Sequence, residues 1–464
     1  MRHRWLAVVS ALVVIVPFIA SVKAADPGVT LIGFGLIPGD ALDKSGLAGK
    51  EICQADDELN CIDRATLGGL GSALAYTGFD NVFLAVPDRG PFDGQTDLPY
   101  LDRFHFMKLS VTGPAFAYPS QPNIQAQLLD TRFLKTLSGQ KFVGDSSNLD
   151  MRFDPEGVSV SRLGNFFVSD EYGPFINEFT RLGHLIRRIR VPAKFLIANP
   201  TGEVDSAGNS LELYPDHNTS GRQANRGMEG LAITPNGRYL VGMMQNALIQ
   251  DNGLTYSSAV PPAPPSRRGL NNRILKVDLL TGKTWEYVYV VDPRPDGLPG
   301  QGRGVNDLVA VNDHEFLAIE RDNRSQVPTP GSGNDPASPN LKRIYKIDLN
   351  GATDVSKIPS LPATAAELSG ISITPVTKSL FIDLLDSSYV VSTSPLKTIK
   401  DVVAEKIEGL AWGPDLSDGR HVLYVISDND LYPGLPTQIY AFAIDAAKVS
   451  YQPQQIAFPM YFGH

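Results

Sequence analysis

Acidic residues that stand directly before a glycine recur along this chain and are its clearest candidates for chemistry. Each opens the same phrase, in which an acid and a glycine lead into a short apolar run: Glu156-Gly157, Glu229-Gly230 and Glu408-Gly409. Asn306-Asp307 opens a variant of the phrase, and Ser369-Gly370 keeps the frame without the acid. Glutamate has little preference for turns, so turn formation does not explain why it precedes glycine repeatedly. The recurring carboxylates therefore indicate a site built from oxygen atoms.

A turn and a second apolar run follow the phrase, and further acids stand where that second run ends. After Glu156, residues 162–165 form a predicted turn and residues 166–169 a predicted strand. Asp170 and Glu171 follow that strand directly. Because the strands of a hairpin are antiparallel, its beginning and its end lie at one level. The same spacing places further acids on this rim of the sheets: Asp88, Glu320, Asp322 and Asp428.

The hairpins repeat along the chain, and most are followed after a loop by an alternating strand. The clearest of these third strands span residues 273–278, 343–348 and 438–445. Repeated units of about four strands are typical of a β-propeller. A hairpin over residues 371–385 is the fifth of six along the chain. The sequence therefore predicts an all-β chain, a single propeller over residues 28–455 with six four-stranded blades, or seven because the spacing is uneven.

The rim acids of a propeller are expected to form a metal site. The first strand of each blade lines the central channel, so acids that precede these strands converge at one mouth. Two charges about 4 Å apart repel by about 4 kcal/mol at an effective dielectric constant of about 20, so protons, basic groups or cations must neutralise them. Oxygen ligands without a recurring His or Cys favour Ca²⁺. The predicted ligands are Glu156, Glu229, Asp307, Glu408, Asp88, Asp322 and Asp428.

Other charged residues of the same rim are candidates for catalysis and substrate binding. The acids predicted to orient or deprotonate water are Asp170, Glu171 and Glu320. The arginines predicted to bind an anionic substrate group through paired hydrogen bonds are Arg89, Arg226 and Arg321. The structural alternative stays open for both sets, because acids also stabilise turns and arginines also pair with acids.

The first 24 residues have the pattern of a signal peptide. Arg2 and Arg4 precede an apolar run over residues 5–20, and Val22-Lys23-Ala24 fits a small-residue cleavage site. The run is short for a membrane span. We therefore expect export to the periplasm or the medium, with no membrane partner after cleavage. The net charge of −9 disfavours nucleic acid as a partner, and we expect a monomer that acts on a small anionic ester.

The chain has two cysteines, Cys53 and Cys61, separated by an acidic loop. Exported proteins meet an oxidising environment in which disulfides persist. We therefore expect the two cysteines to pair and to close the loop of residues 54–60. Two cysteines alone do not favour a metal site.

Several motifs together carry a resemblance to a known family. They are Asp154-Pro155-Glu156-Gly157, Val168-Ser169-Asp170-Glu171-Tyr172-Gly173, Asn225-Arg226-Gly227-Met228-Glu229-Gly230-Leu231, Lys406-Ile407-Glu408-Gly409-Leu410, Val86-Pro87-Asp88-Arg89-Gly90 and Ile319-Glu320-Arg321-Asp322. Through these motifs, the chain resembles the phytase-like propeller family described as "esterase-like activity of phytase". The resemblance implies a secreted or periplasmic hydrolase of ester or phosphoester bonds. It also suggests an analogy with propeller phytases, in which several Ca²⁺ ions neutralise phosphates and activate a water.

Three hypotheses follow from the sequence. The first is a Ca²⁺-dependent hydrolase of ester or phosphoester bonds with its site at the channel mouth. The second is a lactonase-type hydrolase, in which Glu156, Asn306 and Asp307 would hold one calcium ion. The third is a non-catalytic binding protein whose blades are merely stabilised by calcium.

Overall fold

Five four-stranded antiparallel sheets form the computed structural model of the chain. The structure describes residues 28–113, 121–200, 218–252, 269–293, 303–330 and 336–459. The predicted signal peptide, residues 1–24, lies outside the described residues. No helix in the described ranges is long and apolar enough to cross a membrane.

Each sheet is one blade, and four of the blades are built from strands that follow one another along the chain. Blade one contains β4 (Ala73–Tyr76), β5 (Val82–Val86), β6 (Arg103–Val111) and β7 (Ile124–Phe133). Blade two contains β8 (Pro155–Val160), β9 (Phe166–Asp170), β10 (Ile176–Phe179) and β11 (Leu185–Ile189). Blade three contains β12 (Met228–Ile233), β13 (Tyr239–Met244), β14 (Asn271–Asp278) and β15 (Thr284–Val290). Blade four contains β16 (Arg303–Ala310), β17 (Glu315–Asp322), β18 (Lys342–Asp348) and β19 (Thr377–Asp383).

Blade five joins the two ends of the chain. Its strands are β22 (Lys406–Trp412), β23 (His421–Asp428), β24 (Thr437–Ile444) and β1 (Val29–Ile37). β1 pairs antiparallel with β24, from Val29 opposite Ile444 to Ile37 opposite Thr437. The first described strand is therefore the outermost strand of the last blade, which closes the propeller.

The first strand of each blade contacts the first strands of both neighbouring blades. In ring order these inner strands are β4, β8, β12, β16 and β22, and β22 contacts β4 again. Apolar side chains fill the space between successive blades. Between blades one and two, for example, the Phe104 and Phe166 rings lie 4.8 Å apart and Phe179 packs on them. Five blades thus close around one narrow channel.

The prediction of six or seven blades is wrong. The hairpin expected over residues 371–385 does not form, because its second run pairs elsewhere. The Ser369-Gly370 phrase lies at the end of α1 (Ala365–Gly370) and in the turn after it. Thr377–Asp383 pairs with β18 and is the fourth strand of blade four. The three predicted third strands are confirmed as β14, β18 and β24.

Two short hairpins and a short helix lie outside the blades. β2 (Glu51–Gln54) and β3 (Asp57–Asp63) form a hairpin in which Cys53 and Cys61 are joined by a disulfide. β20 (Val390–Thr393) and β21 (Leu396–Thr398) form a second hairpin, followed by α2 (Ile399–Val402). The acid–glycine phrases lie on none of these elements, so the blades alone position the candidate site.

A C-terminal segment, residues 449–457, crosses the end of the channel opposite the acid–glycine phrases; we call it the strap. The Tyr451 ring lies 4.4 Å from the Trp412 ring at the end of β22. The strap also donates backbone hydrogen bonds to blades four, three and two, from Gln452 N to Val311 O at 2.8 Å, from Gln455 N to Pro235 O at 2.9 Å and from Ala457 N to Arg162 O at 2.9 Å. Between the strap and the inner strands is a largely apolar cavity of about 180 Å³. The strap therefore covers this end of the channel, opposite the charged mouth.

Candidate functional site

Each of the five inner strands has a polar residue near its beginning, and these residues occupy equivalent positions. Each position lies two residues before an apolar side chain that packs into one of five separate cores between blades, namely Leu74, Val158, Leu231, Leu308 and Leu410. The polar residues are Ser72, Glu156, Glu229, Asn306 and Glu408. We call these five residues the mouth ring. All five are buried.

The glycine after each ring glutamate is explained by the closeness of the inner strands. A Cβ atom at Gly157 would lie 2.5 Å from the backbone oxygen of Glu229 in the next blade. At Gly230 it would lie 2.6 Å from the backbone oxygen of Asn306. Contacts this short exclude a side chain without a backbone shift. The two halves of the phrase thus have separate causes, since glycine permits close packing and glutamate lines the mouth.

The ring residue of blade four is Asn306 rather than the predicted Asp307. Asp307 occupies the position that glycine holds in blades two, three and five. Its carboxylate accepts backbone hydrogen bonds from Leu308 at 2.8 Å and from Leu410 in the next blade at 2.9 Å. Burial raises the pKa of Asp307 well above its ordinary value, although these backbone donors oppose the shift. Both oxygens are engaged, and Oδ2 ties blade four to blade five.

Asn306 joins two ring glutamates. Its Nδ2 lies 3.5 Å from Glu229 Oε2 and 3.4 Å from Glu408 Oε1, one in each neighbouring blade. Its Oδ1 is buried and has no hydrogen-bond partner among the described residues. Glu408 Oε1 also accepts a hydrogen bond from Arg321 Nη2. A buried amide oxygen without a partner is an available ligand atom in the ring.

Three acids at the mouth, one of them a ring residue, lie close enough to share one cation. Asp154, Glu156 and Glu171 each place a carboxylate oxygen within 4.8 Å of the others, and we call them the acid triad. Burial, followed by the charge of Glu229, raises the pKa of Glu156 well above its ordinary value. Burial also raises the pKa of Asp154 to about 7, although Arg89 opposes it. Glu171 Oε1 is buried without a hydrogen-bond partner in the part of the chain that the structure describes.

Other predicted acids at the mouth hold the local backbone. Asp170 Oδ1 accepts hydrogen bonds from the amides of Asp154 at 3.2 Å and Tyr172 at 3.0 Å, and burial raises its pKa to about 6. Asp88 Oδ1 accepts the Gly90 amide at 3.0 Å, and burial raises the pKa of Asp88 to about 7. These groups surround the ring and the triad and add to the negative charge there.

Asp428 also lies at the mouth. Its Oδ2 accepts a hydrogen bond from Ser72 Oγ of the ring at 3.0 Å, and its Oδ1 accepts the Asp430 amide. Burial and then the charge of Asp88 raise the pKa of Asp428 well above its ordinary value. Lys406 Nζ pairs with Asp430 and supplies positive charge to this side of the mouth.

Two predicted site acids are held away from the ring. Glu320 Oε2 accepts hydrogen bonds from Tyr289 of β15 at 2.7 Å and from Lys378 of β19 at 2.6 Å. Asp322 pairs with Lys342 at 3.4 Å and accepts backbone hydrogen bonds from residues 340 and 341. The structure therefore does not bring Glu320 or Asp322 together with the ring glutamates.

Of the three predicted arginines, two form ion pairs at the mouth and one does not. Arg89 Nη1 contacts Asp154 at 2.8 Å and Glu171 at 3.2 Å. Arg321 pairs with Glu408. Arg226 Nη1 instead donates to the neutral Gln245 Oε1 at 2.5 Å, and its guanidinium makes no ion pair with any described residue. Arg226 is thus available to an anionic ligand.

The donor set fits a hard divalent cation. The ring and the triad offer carboxylate and amide oxygens, two of which lack partners, and none of their side chains is a His or Cys. Oxygen atoms in irregular arrangements suit Ca²⁺. Burial and then repulsion by neighbouring acids raise the pKa of Glu156, and a bound cation would offset both. The residues that could hold it are Asp154, Glu156, Glu171, Glu229, Asn306 and Glu408.

The predicted ligands, catalytic acids and arginines of the first hypothesis left out three of the residues found at this site. Asp154 was visible only as part of a motif, although it precedes Glu156 by two residues. Asn306 entered only the lactonase hypothesis, although alignment of Leu308 with Leu231 and Leu410 places it in the glutamate column. Gln245 left no signal, because its role depends on side chains from two other chain segments.

A family comparison agrees with this architecture. Residues 65–431 match the phytase-like family, described as esterase-like activity of phytase. The chain belongs to the phytase-like family. This phytase-like protein is also 28% identical over 309 residues to an uncharacterized secreted protein of Arthroderma benhamiae. The match covers 56% of this chain and 54% of the relative, so it spans about half the relative's length.

Two solved structures show the general likeness of the phytase-like chain to other proteins. A luciferin-regenerating enzyme has a TM-score of 0.32 at 12% identity, with 85% of this chain and 97% of that chain covered. Regucalcin, a calcium-binding protein of Agrobacterium tumefaciens, has a TM-score of 0.31 at 10% identity, with 85% and 95% covered. The propeller assignment rests on the strand pairing of the chain itself.

Proposed function

We propose that this phytase-like protein is an exported, Ca²⁺-dependent hydrolase of ester or phosphoester bonds. The observation that carries the proposal is the set of buried carboxylates at one channel mouth, including the acid triad within 4.8 Å. Carboxylates buried so close together are stable only when protonated or bound to positive charge. The charge of Glu156 and of Glu229, which pair with no basic side chain among the described residues, is therefore available to a cation.

The chain's own residues suggest how such a site would work. Glu156, Glu229 and Glu408, with Asn306, would hold Ca²⁺. Calcium bound there would stabilise negative charge that develops on the ester during hydrolysis. Arg226 would bind the anionic part of the substrate, because its guanidinium has no ion pair within the described ranges.

Glu171 is the residue we propose as general base. Its Oε1 is buried without a hydrogen-bond partner in the described chain, while its Oε2 is 3.2 Å from Arg89 Nη1. Arg89 thus holds the carboxylate in one orientation and leaves one oxygen to accept a proton from water. Asp170 and Glu320 are less suited to this role, because Asp170 Oδ1 bonds the backbone and Glu320 is paired with Lys378.

Hydrolysis assays on the purified mature protein test the proposal. The substrates are p-nitrophenyl phosphate, p-nitrophenyl acetate, phytate and a lactone, each with calcium and with chelator. We expect turnover only with calcium, and loss of turnover in Glu229→Gln without loss of the fold. Glu58→Gln, at an exposed position of the β2–β3 hairpin, is the matched control. Full activity of Glu229→Gln would refute the assignment.

The same assays separate the two other functions. A lactonase is favoured by the Glu229–Asn306–Glu408 arrangement, in which the Asn306 amide nitrogen contacts two carboxylates and its oxygen has no hydrogen-bond partner among the described residues. Turnover of the lactone without release of phosphate would establish it. A binding protein would show no turnover of any substrate, while chelation of calcium would still lower its melting temperature.

A further inference from the structure

Gln245 lies between Arg226 and the ring residue Glu229. Its Oε1 accepts a hydrogen bond from Arg226 Nη1 at 2.5 Å, and its Nε2 donates to Glu229 Oε1. A guanidinium group has only donors, so the amide oxygen must face Arg226 and the amide nitrogen is left for Glu229. A neutral side chain thus separates two opposite charges.

The rest of Gln245 is held firmly in this place. Its backbone N–H donates a hydrogen bond to Gly227 O at 2.9 Å. Its backbone carbonyl accepts hydrogen bonds from Val305 N at 3.1 Å and from Asn272 Nδ2 at 2.8 Å. A Cβ atom at Gly304 would lie 3.0 Å from Gln245 Cγ, so the side chain is packed against the neighbouring strand. The residue is 5% exposed. Its side-chain amide is therefore a fixed spacer between Arg226 and Glu229.

Without the spacer, Arg226 would pair with a carboxylate. Burial lowers the pKa of Arg226, and the charges of Glu171 and Glu229 oppose that shift, so both acids lie within its electrostatic reach. The Nε–H of Arg226 is buried and has no hydrogen-bond partner among the described residues. An ion pair between Arg226 and Glu229 would satisfy both groups. It would also occupy the ligand oxygen and the substrate-binding guanidinium together.

We propose that Gln245 is a positioning residue that keeps Arg226 apart from Glu229. The glutamate then stays available to a cation, and the arginine stays available to an anionic group of the substrate. The inference rests on the proposed function, because it assigns both ligands to this mouth. It adds that one neutral amide keeps the cation site at Glu229 and the anion site at Arg226 separate.

A double-mutant cycle measured by calcium titration calorimetry tests this inference. The proteins are the wild type, Gln245→Met, Arg226→Met and the double variant; methionine keeps the length of the glutamine side chain without its amide. We expect Gln245→Met to weaken calcium binding about tenfold or more, since the freed guanidinium competes for Glu229. The double variant should bind calcium within about threefold of Arg226→Met, because no guanidinium remains to compete.

The anion subsite gives a second readout with sulfate as the probe. Gln245→Met should weaken sulfate binding, and Gln127→Met, at an exposed position of β7, should change neither affinity. Unchanged calcium affinity in Gln245→Met, or an equal loss in the double variant, would overturn the inference while leaving the proposed function intact. Absence of calcium binding by the wild type would overturn both. If Gln245→Met does not fold, Gln245→Asn, which keeps the amide but shortens its reach, is judged by the same criteria.

Discussion

Ionised carboxylates at the mouth ring lack enough nearby positive charge. Arg89, Arg321 and Lys406 pair with some acids there, but Glu156 accepts no hydrogen bond from any described residue. Its burial beside Asp154 and Glu171 favours the protonated form until a cation arrives. Binding of a cation and release of protons are therefore linked at this site.

The stability of the metal-free protein should fall as pH rises through neutrality. Burial raises the pKa of Asp88 and Asp154 to about 7 and that of Asp170 to about 6, all above the ordinary value of 3.8. The folded state then binds more protons than the unfolded state between these values. The stabilisation is complete below the unfolded pKa and is lost as pH rises through the folded pKa, at about 1.4 kcal/mol per pKa unit.

Scanning calorimetry with chelator and with calcium measures this effect. With chelator, the melting temperature should be higher at about pH 5 than at about pH 8. Calcium should raise it more at the higher pH, because the ligands are then deprotonated. Burial lowers the pKa of His105 to about 4, so this residue makes stability rise with pH. Asp88, Asp154 and Asp170 together outweigh this one group. A melting temperature that rises with pH in chelator would contradict the prediction.

At the residue scale, the sequence predicted the ring glutamates and their convergence at one mouth, but its set of ligands lacked the ring residues of blades one and four. Glu156, Glu229 and Glu408 repeat one phrase along the chain, in which the glycine permits close packing and the glutamate lines the mouth. The residues that each glutamate meets at the mouth, however, come from other blades. In blade four the acid of the phrase is Asp307, but Leu308 aligns with the leucines of blades three and five, so Asn306 holds the glutamate position. The pairing irregularity of β16 with β17 recurs in blades two, three and five and does not distinguish blade four.

The inner strands approach one another so closely that their glycines should be intolerant of substitution. Gly157→Ala would place a Cβ atom 2.5 Å from Glu229 O. We expect a loss of about 1–3 kcal/mol in the free energy of unfolding, because one inner strand must move. Urea unfolding measures it. Gly370→Ala is the control, since a Cβ there has no neighbour within 4 Å. Equal stability of the two variants would argue against close packing at the mouth.

The strap should stabilise the channel end opposite the mouth. Tyr451 packs 4.4 Å from the Trp412 ring and 4.8 Å from His421. Tyr451→Ala should cost about 1–3 kcal/mol through lost burial and ring contacts. It should also shift the fluorescence of Trp412 towards that of a water-exposed indole. Phe458→Ala is the matched control, because Phe458 is 64% exposed. No change in either measurement for Tyr451→Ala would show that the strap does not cover the channel.

At the element scale, hairpins with tight local turns were predictable and distant pairings were not. The turn around Gly237 joins β12 to β13 and can be recognised from Pro235-Asn236-Gly237 alone. Thr377–Asp383 looked like half of another hairpin, because an outer strand and a hairpin strand share the same alternation. Its actual partner, β18, ends at Asp348, well before α1. The error in the blade count came from this one strand.

At the scale of the whole molecule, the propeller is closed by a strand that no local pattern revealed. β1 pairs with β24, and its side chains Val29, Leu31 and Phe34 enter the core shared by blades four and five. Blade five therefore forms only when both ends of the chain have come together. Because each inner strand contacts two others, opening blade five also removes one neighbour from β4 and one from β16.

Removing β1 should therefore destabilise the whole molecule rather than one edge of it. A chain that begins at residue 40 loses the burial of Val29, Leu31 and Phe34, at about 1.5–3 kcal/mol for each side chain. Together these losses are comparable to the 5–15 kcal/mol that typically holds a domain folded. The truncation also exposes β24 as an unpaired edge, which promotes association.

Calorimetry should show one cooperative transition for the chain that lacks only residues 1–24, and a much lower or absent transition for the chain that begins at residue 40. A synthetic peptide of residues 28–39, added to the shorter chain, should restore part of the transition by pairing with β24. If the shorter chain melted cooperatively within a few degrees of the longer one, four blades and a three-stranded fifth would suffice. In that case the mouth ring would depend on the inner strands alone, and β1 would have no part in holding Glu408 opposite Asn306.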